Sequence, residues 1–319
     1  MHNSGQIANI DPEMSNIDKI EELQNRLKLN PSDSDTRREL AVILSDSGFD
    51  KESLENFLYL SKVNPQDSSI FYNIGILYEK LKDYEKAEFN YKKAVLTDSA
   101  DVDSYYNLGL VQLKLGKFQD SIENFEKVIE TDNDDANAYF NLALSYYKLK
   151  KYDAAEYYFN RTVELDESDF YAHFYLGNIY MNLNNIEKAK SEFEKVIEIS
   201  PDYSWAYYNL ACIYKEMGDF TESFNMLDKT LEYNDKDLET YKLYSKILSC
   251  VQEYDKAQDI VTQGLERCGE NGDLYYIMAK ILKEKGDIEG CRKNLSLCLK
   301  YFKSLTVPVN VINKALKGI

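Results

Sequence analysis

The chain has 319 residues with 38 basic and 55 acidic side chains, a net charge of −17. That balance opposes nucleic acid or an anionic membrane surface as the main partner, because both call for a positive field. Hydrophobic residues make up 44%, enough to bury a core, while 13 Gly and 5 Pro are too few for a turn-rich all-β protein.

In chain order, residues 1–15 are polar, carry Gly5 and Pro12, and read as a disordered segment without a secretory signal. Residues 16–33 hold Ile17, Ile20, Leu23 and Leu27 at helical spacing, which predicts a capping helix. From residue 34 to 305 the chain repeats itself every 34 residues. The run Tyr105–Gly109 returns as Tyr139–Ala143 and again as Tyr207–Ala211. The register gives eight copies: 34–67, 68–101, 102–135, 136–169, 170–203, 204–237, 238–271 and 272–305.

Each copy carries two apolar stripes of helical period. In the second copy they are Phe71, Ile74, Gly75 and Tyr78, then Tyr84, Ala87, Tyr91, Ala94 and Val95. One position between the stripes must turn the chain. It is Gly48, Gly116, Asn184, Gly218 and Gly286 in five copies, and Lys82, Lys150 and Gln252 in the others. Gly and Asn tolerate the left-handed backbone that ends a helix. In the second helix one position is always small: Ser53, Ala87, Ser121, Ala155, Ala189, Ser223, Ala257 and Cys291. Four residues later stands a larger side chain, such as Phe57, Tyr91, Phe125, Phe159 or Phe193. Small then large predicts closely packed helix pairs. After Leu305, residues 306–319 hold Val309, Ile312, Leu316 and Ile319, read as a C-terminal capping helix, with a dimerisation helix as the alternative.

Little catalytic chemistry is written into the chain. There is no phosphate-cradling glycine loop, no nucleophile elbow and no zinc-protease motif. The histidines are His2 and His173, and His173 takes a core position where sibling copies have Tyr or Phe. Cys212, Cys250, Cys268, Cys291 and Cys298 are odd in number, which fits a reducing cytoplasm. No segment reaches the 18 or so apolar residues that span a bilayer. The expectation is a cytoplasmic protein that is not an enzyme and needs no cofactor or metal.

The period and its residues resemble the tetratricopeptide repeat family. The family's first-helix pattern is matched at Tyr105, Leu108 and Gly109, and at Leu176, Gly177 and Tyr180; Ala189, Phe193 and Val196 match its second helix. Pro65 and Pro201 stand at the family's end-of-repeat position, while Trp never fills the first large position. The resemblance implies an all-α, right-handed superhelical α-solenoid whose first helices line a concave groove. It places Asn73, Asn107, Asn141 and Asn209 in one row of that groove, interrupted by Tyr175. A second row holds Tyr72, Tyr106, Phe140, Phe174 and Tyr208, with Trp205 nearby. The asparagine row is similar to the ladder that grips peptide backbone in O-linked N-acetylglucosamine transferases. An amide carries both a donor and an acceptor, so it can pair with any peptide bond. Over all eight copies the groove positions hold nine acids and nine bases, so it is not a basic channel. The expected function is a scaffold that binds an extended segment of a protein partner in the groove. The alternatives are a self-associating assembly protein, possible as a homodimer through the C-terminal end, and a regulatory superhelix acting with a catalytic domain on another chain.

Overall fold

The computed structural model describes residues 15–318, and every regular element among them is helical. The expected disordered stretch lies outside the described residues except for Ser15, whose side chain caps the first helix, and Ile319 lies outside them too. The helices divide into two units between Asp166 and Glu167.

The first unit holds α1 (Asn16–Leu29), α2 (Ser34–Asp46), α3 (Asp50–Val63), α4 (Ser68–Lys80), α5 (Tyr84–Thr97), α6 (Val102–Lys114), α7 (Phe118–Thr131), α8 (Ala136–Lys148) and α9 (Tyr152–Leu165). The second holds α10 (Phe170–Asn182), α11 (Ile186–Ile199), α12 (Ser204–Met217), α13 (Phe220–Tyr233), α14 (Leu238–Cys250), α15 (Tyr254–Cys268), α16 (Gly272–Glu284) and α17 (Ile288–Lys300). It ends with a short 3₁₀ turn (Phe302–Ser304) and α18 (Val309–Lys317). From α2 to α17, consecutive helices pair as antiparallel hairpins, and the first helix of each pair opens 34 residues after the one before.

Local chemistry fixes where these helices begin. The carboxylates of Asp33, Asp67, Asp101, Asp135 and Asp169 each accept an N–H from the first turn of the helix that follows. Such a cap satisfies one of the four orphan donors at a helix start. Asp83 and Asp219 do the same for α5 and α13, as their position just past the turn predicts.

Helix ends are fixed by the turn position. Gly48, Gly116, Gly218 and Gly286 have φ between 73° and 81°. Lys82, Lys150, Asn184 and Gln252 occupy the same left-handed region, with φ of 61°, 58°, 57° and 64°. A side chain there crowds the following carbonyl. Lys82→Gly, Lys150→Gly and Gln252→Gly should therefore each raise stability, by about 0.5–1 kcal/mol after the extra freedom of glycine in the unfolded chain is subtracted. Urea unfolding of the triple variant checks this; a lower midpoint would show that the lysine stems contribute more than the backbone loses.

Inside each pair the two helices interlock. All the small second-helix positions are buried, and the larger residues four positions on are buried as well. Across the pair stands Gly or Ala on the first helix, except in the seventh copy, where it is the buried Ser245. A Cβ at Gly75 would lie 2.5 Å from the Tyr91 ring, one at Gly109 2.8 Å from Phe125, and one at Gly177 2.7 Å from Phe193. Where the small residue is serine it also ties the helices. Ser53 Oγ donates to the Ala41 carbonyl (2.6 Å), Ser121 Oγ to that of Gly109 (2.9 Å) and Ser223 Oγ to that of Ala211 (2.9 Å).

The ends are built differently. On α1, Ile20, Leu23 and Leu27 are buried with Leu40 and Leu44. Ile17, expected in the same stripe, stands in the first turn of α1 and is 71% exposed. On α18, Ile312 is fully buried and Leu316 packs on the same cluster, whereas Val309, expected to join them, is 40% exposed. The link to α16 is polar: Asp273 Oδ1 accepts the Thr306 N–H (2.7 Å) and the Thr306 hydroxyl (2.9 Å).

Candidate functional site

The first unit carries three of the four asparagines, on α4, α6 and α8. Asn73 Nδ2 donates to the Ser69 carbonyl one turn back, at 2.7 Å. Asn107 Nδ2 donates instead to the hydroxyl of Tyr72 on the preceding first helix, at 3.1 Å. Asn141 does both: its Nδ2 donates to the Asn137 carbonyl (2.8 Å) and to the Tyr106 hydroxyl (3.2 Å). A carbonyl can only accept, so that contact fixes which end of the Asn141 amide is nitrogen. Both N–H groups are then used, and the Oδ1 of Asn141 has no partner among the described residues.

The aromatic row is packed more deeply than its groove positions imply. Tyr72, Tyr106 and Phe140 are half-buried, and their rings lie 6.0, 5.7 and 5.5 Å from those of Tyr91, Phe125 and Phe159. Each is thus a lid on the interlock of its own hairpin, the edge-to-face or tilted contact that aromatic quadrupoles favour. Burial pushes the Tyr72 and Tyr106 phenols up, with Asp103 and Asp135 adding to it and the asparagine contacts opposing it. Both hydroxyls therefore stay protonated and can accept from the next asparagine.

In the second unit, Asn209 Nδ2 donates to the carbonyl of Trp205, at 2.8 Å. Trp205 is 45% exposed and sits edge-on to Tyr208, with ring centroids 6.1 Å apart. Tyr208 is half-buried, and its phenol is pushed up chiefly by that burial. Phe174 packs on Phe193 (5.8 Å) and Tyr203 (5.3 Å), and Tyr175 stands edge-on to Phe174. Tyr171, 48% exposed, completes this cluster with Phe170. Removing Tyr208 or Phe174 thus disturbs packing as well as groove surface.

His173 is buried in the core, as its sibling positions imply. Its Nδ1 lies 2.6 Å from Glu192 Oε2. Burial alone would raise the Glu192 carboxyl, but His173 and Lys195 hold it below the usual range. All five cysteines are unpaired; Cys291 and Cys298 are buried, and burial pushes the Cys298 thiol up to about 12. Sequence reasoning missed Lys242, which is buried and bridges Glu239 Oε1 and Asp273 Oδ2, both at 2.9 Å.

Comparisons with known proteins agree with the fold of helical hairpins. Models described as tetratricopeptide repeat match residues 68–99, 106–170 and 206–237, and one described as TPR repeat matches 177–218. Among solved structures, the chain is similar to the MamA protein, with 27% identity and a TM-score of 0.50 over 54% of this chain and 94% of that one. It is similar to YrrB, described as a TPR protein with an unusual peptide-binding site, with 26% identity and a TM-score of 0.51 over 60% of this chain and 98% of that one. A tetratricopeptide repeat protein from Parabacteroides merdae shares the fold, with 18% identity and a TM-score of 0.57 over 78% of this chain and 97% of that one. No curated protein sequence matches the chain.

Proposed function

Because the chain is a tetratricopeptide repeat protein, we propose that it is a non-enzymatic scaffold that holds an extended segment of a partner protein along its first helices. One observation carries this reading. Asn107 and Asn141, one period apart, each donate Nδ2 to the tyrosine hydroxyl of the preceding first helix, and the Asn137 carbonyl fixes the orientation of the Asn141 amide. The Asn141 oxygen is left to accept. A segment laid across these helices offers a backbone N–H at regular spacing, and a preset acceptor needs no reordering to meet it. Tyr72 and Tyr106 act here as positioning residues. The likeness to YrrB, with its peptide-binding site, supports the same reading. So does the exposure of Trp205 and Tyr171, rigid amphipathic side chains suited to contact. The same reading divides residues 34–305 into eight copies with a cap at each end, in a reducing cytoplasm where five free thiols persist.

The test is binding of an unbiased peptide library to immobilised full-length chain. Asn141→Ala should weaken retention by about 0.5–1.5 kcal/mol, the net worth of a hydrogen bond. Asn73→Ala, Asn107→Ala and Asn141→Ala together should weaken it further, and equally for peptides of unrelated sequence, because the contact is to main chain. A folded triple variant that retains peptides as well as the parent would sink the proposal. Self-association through the C-terminal end is the alternative, favoured by Val309 and Val311 at 40% and 41% exposure on α18. A concentration-independent monomer in sedimentation excludes it.

A further inference from the structure

We infer that the end of the second unit carries a separate subsite for the acidic side chains of a peptide. This deepens the scaffold reading and rests on it. The subsite is a cavity of about 500 Å³ between α12, α14 and α16, closed by the segment that follows the last hairpin. Four lysines line it, Lys215, Lys242, Lys246 and Lys280, against one carboxylate, Asp273. This excess stands in a chain whose net charge is −17.

The four lysines are not equivalent. Lys242 is buried and already satisfied by Glu239 and Asp273. Burial alone would lower its pKa, but the two carboxylates hold it raised, so its charge is already spent within the protein and the excess rests on the other three lysines. Lys215, Lys246 and Lys280 are exposed, and none forms an ion pair among the described residues. Lys280 leans over the Tyr276 ring, its ammonium 5.6 Å from the centroid, which keeps it at the wall of the cavity. Three free cations on three different helices therefore face one space. Between them the lining is apolar, with Ile277 and Val307 beside Tyr276.

This chemistry selects the ligand. Carboxylates supply the missing counter-charges, and an apolar side chain between them fills the wall. A long polyanion is opposed, because the rest of the chain would repel it. An acidic peptide with interspersed apolar residues fits both the charge and the lining.

The experiment uses fluorescence anisotropy with the full chain and labelled, amidated octapeptides. One alternates Glu with Leu, its neutral twin alternates Gln with Leu, and a third is the Gln peptide with a free terminal carboxylate. The Glu peptide should bind about tenfold tighter than the Gln peptide, an advantage that shrinks as salt rises from low to high. Lys246→Glu with Lys280→Glu should abolish the advantage, and Lys246→Gln with Lys280→Gln should reduce it; all these positions are exposed, so the fold is kept. Tight binding of the third peptide instead would assign the subsite to a chain terminus and overturn the side-chain proposal. Equal affinity for the Glu and Gln peptides, or a Glu preference that survives charge reversal, would overturn the subsite and leave the asparagine reading intact. Failure of every peptide to bind would overturn it as well. Loss of Gln-peptide binding in the asparagine variants, with the Glu advantage kept, would separate the two sites.

Discussion

Phe125→Ala is expected to destabilise the protein by about 3–5 kcal/mol, the usual range for a large side chain removed from a core. The ring is fully buried, fills the space opposite Gly109, and is covered by Tyr106 at 5.7 Å. Held by the Asp101 cap and by the tight turn at Gly116, α6 and α7 cannot collapse freely into the void. Gly109→Val attacks the same contact from the other side. Its Cβ would begin 2.8 Å from the Phe125 ring, and overpacking of this kind costs about 1–3 kcal/mol. Combined, the two changes should cost less than their sum, because the valine enters the space the ring has left. Urea unfolding of the four proteins measures this cycle. Strict additivity would mean that the two residues do not share one cavity. Since an array of hairpins need not unfold in one step, amide exchange in α6 and α7 should report the loss more sharply than in α2 and α3.

Asp273→Ala should be nearly as damaging, at about 3–5 kcal/mol, because it breaks a buried ion pair from one side only. Lys242 would keep Glu239 alone, and Thr306 would lose both of its hydrogen bonds. Burial by itself would raise the Asp273 carboxyl, but the Thr306 amide and Lys242 hold it below 3.8. A carboxyl lowered on folding contributes stability that is whole above its unfolded value, near 3.8, and that fades as pH falls through the folded value. Acid should therefore loosen this end of the molecule below about pH 4 and leave it unchanged between pH 5 and 8. Exchange of the Thr306 amide is the direct readout. Protection that persists in Asp273→Ala would show that the hydrophobic seat of Ile312 alone holds the segment. Asp273→Asn can still accept from Thr306 but leaves Lys242 less compensated, so it should fall between the two.

The hairpins were legible in the sequence because their period, their turn residues and their small-to-large spacing are local. Even Lys82, Lys150 and Gln252 could be assigned to the left-handed turn, since Gly stood there in sibling copies. The aspartates ahead of the first helices carried an equally plain capping signal that the apolar stripes overshadowed. The candidate site was harder. A groove position tells which way a Cα faces, not how far a ring folds back, and Tyr72, Tyr106 and Phe140 fold back onto their hairpins. Counting charge over the groove positions of all eight copies gave nine of each sign, and the average hid a local excess of lysine. That excess depends on Asp273 and Lys242, 31 residues apart, and on Val307 closing the wall. Neither can be read from a repeat pattern, because the end of an array is where the pattern stops.

The interlock between Gly or Ala and a ring has a kinetic consequence. Gly75 meets Tyr91, Gly109 meets Phe125 and Gly177 meets Phe193, each pair sixteen residues apart along the chain. Closing so short a loop takes little entropy from the unfolded chain, and contacts of small sequence separation go with fast folding. Any hairpin can therefore serve as the nucleus, with growth proceeding outward by docking of the next. Loss of one interlock should leave the refolding rate almost untouched, since other hairpins can start the process, while unfolding begins sooner at the damaged pair.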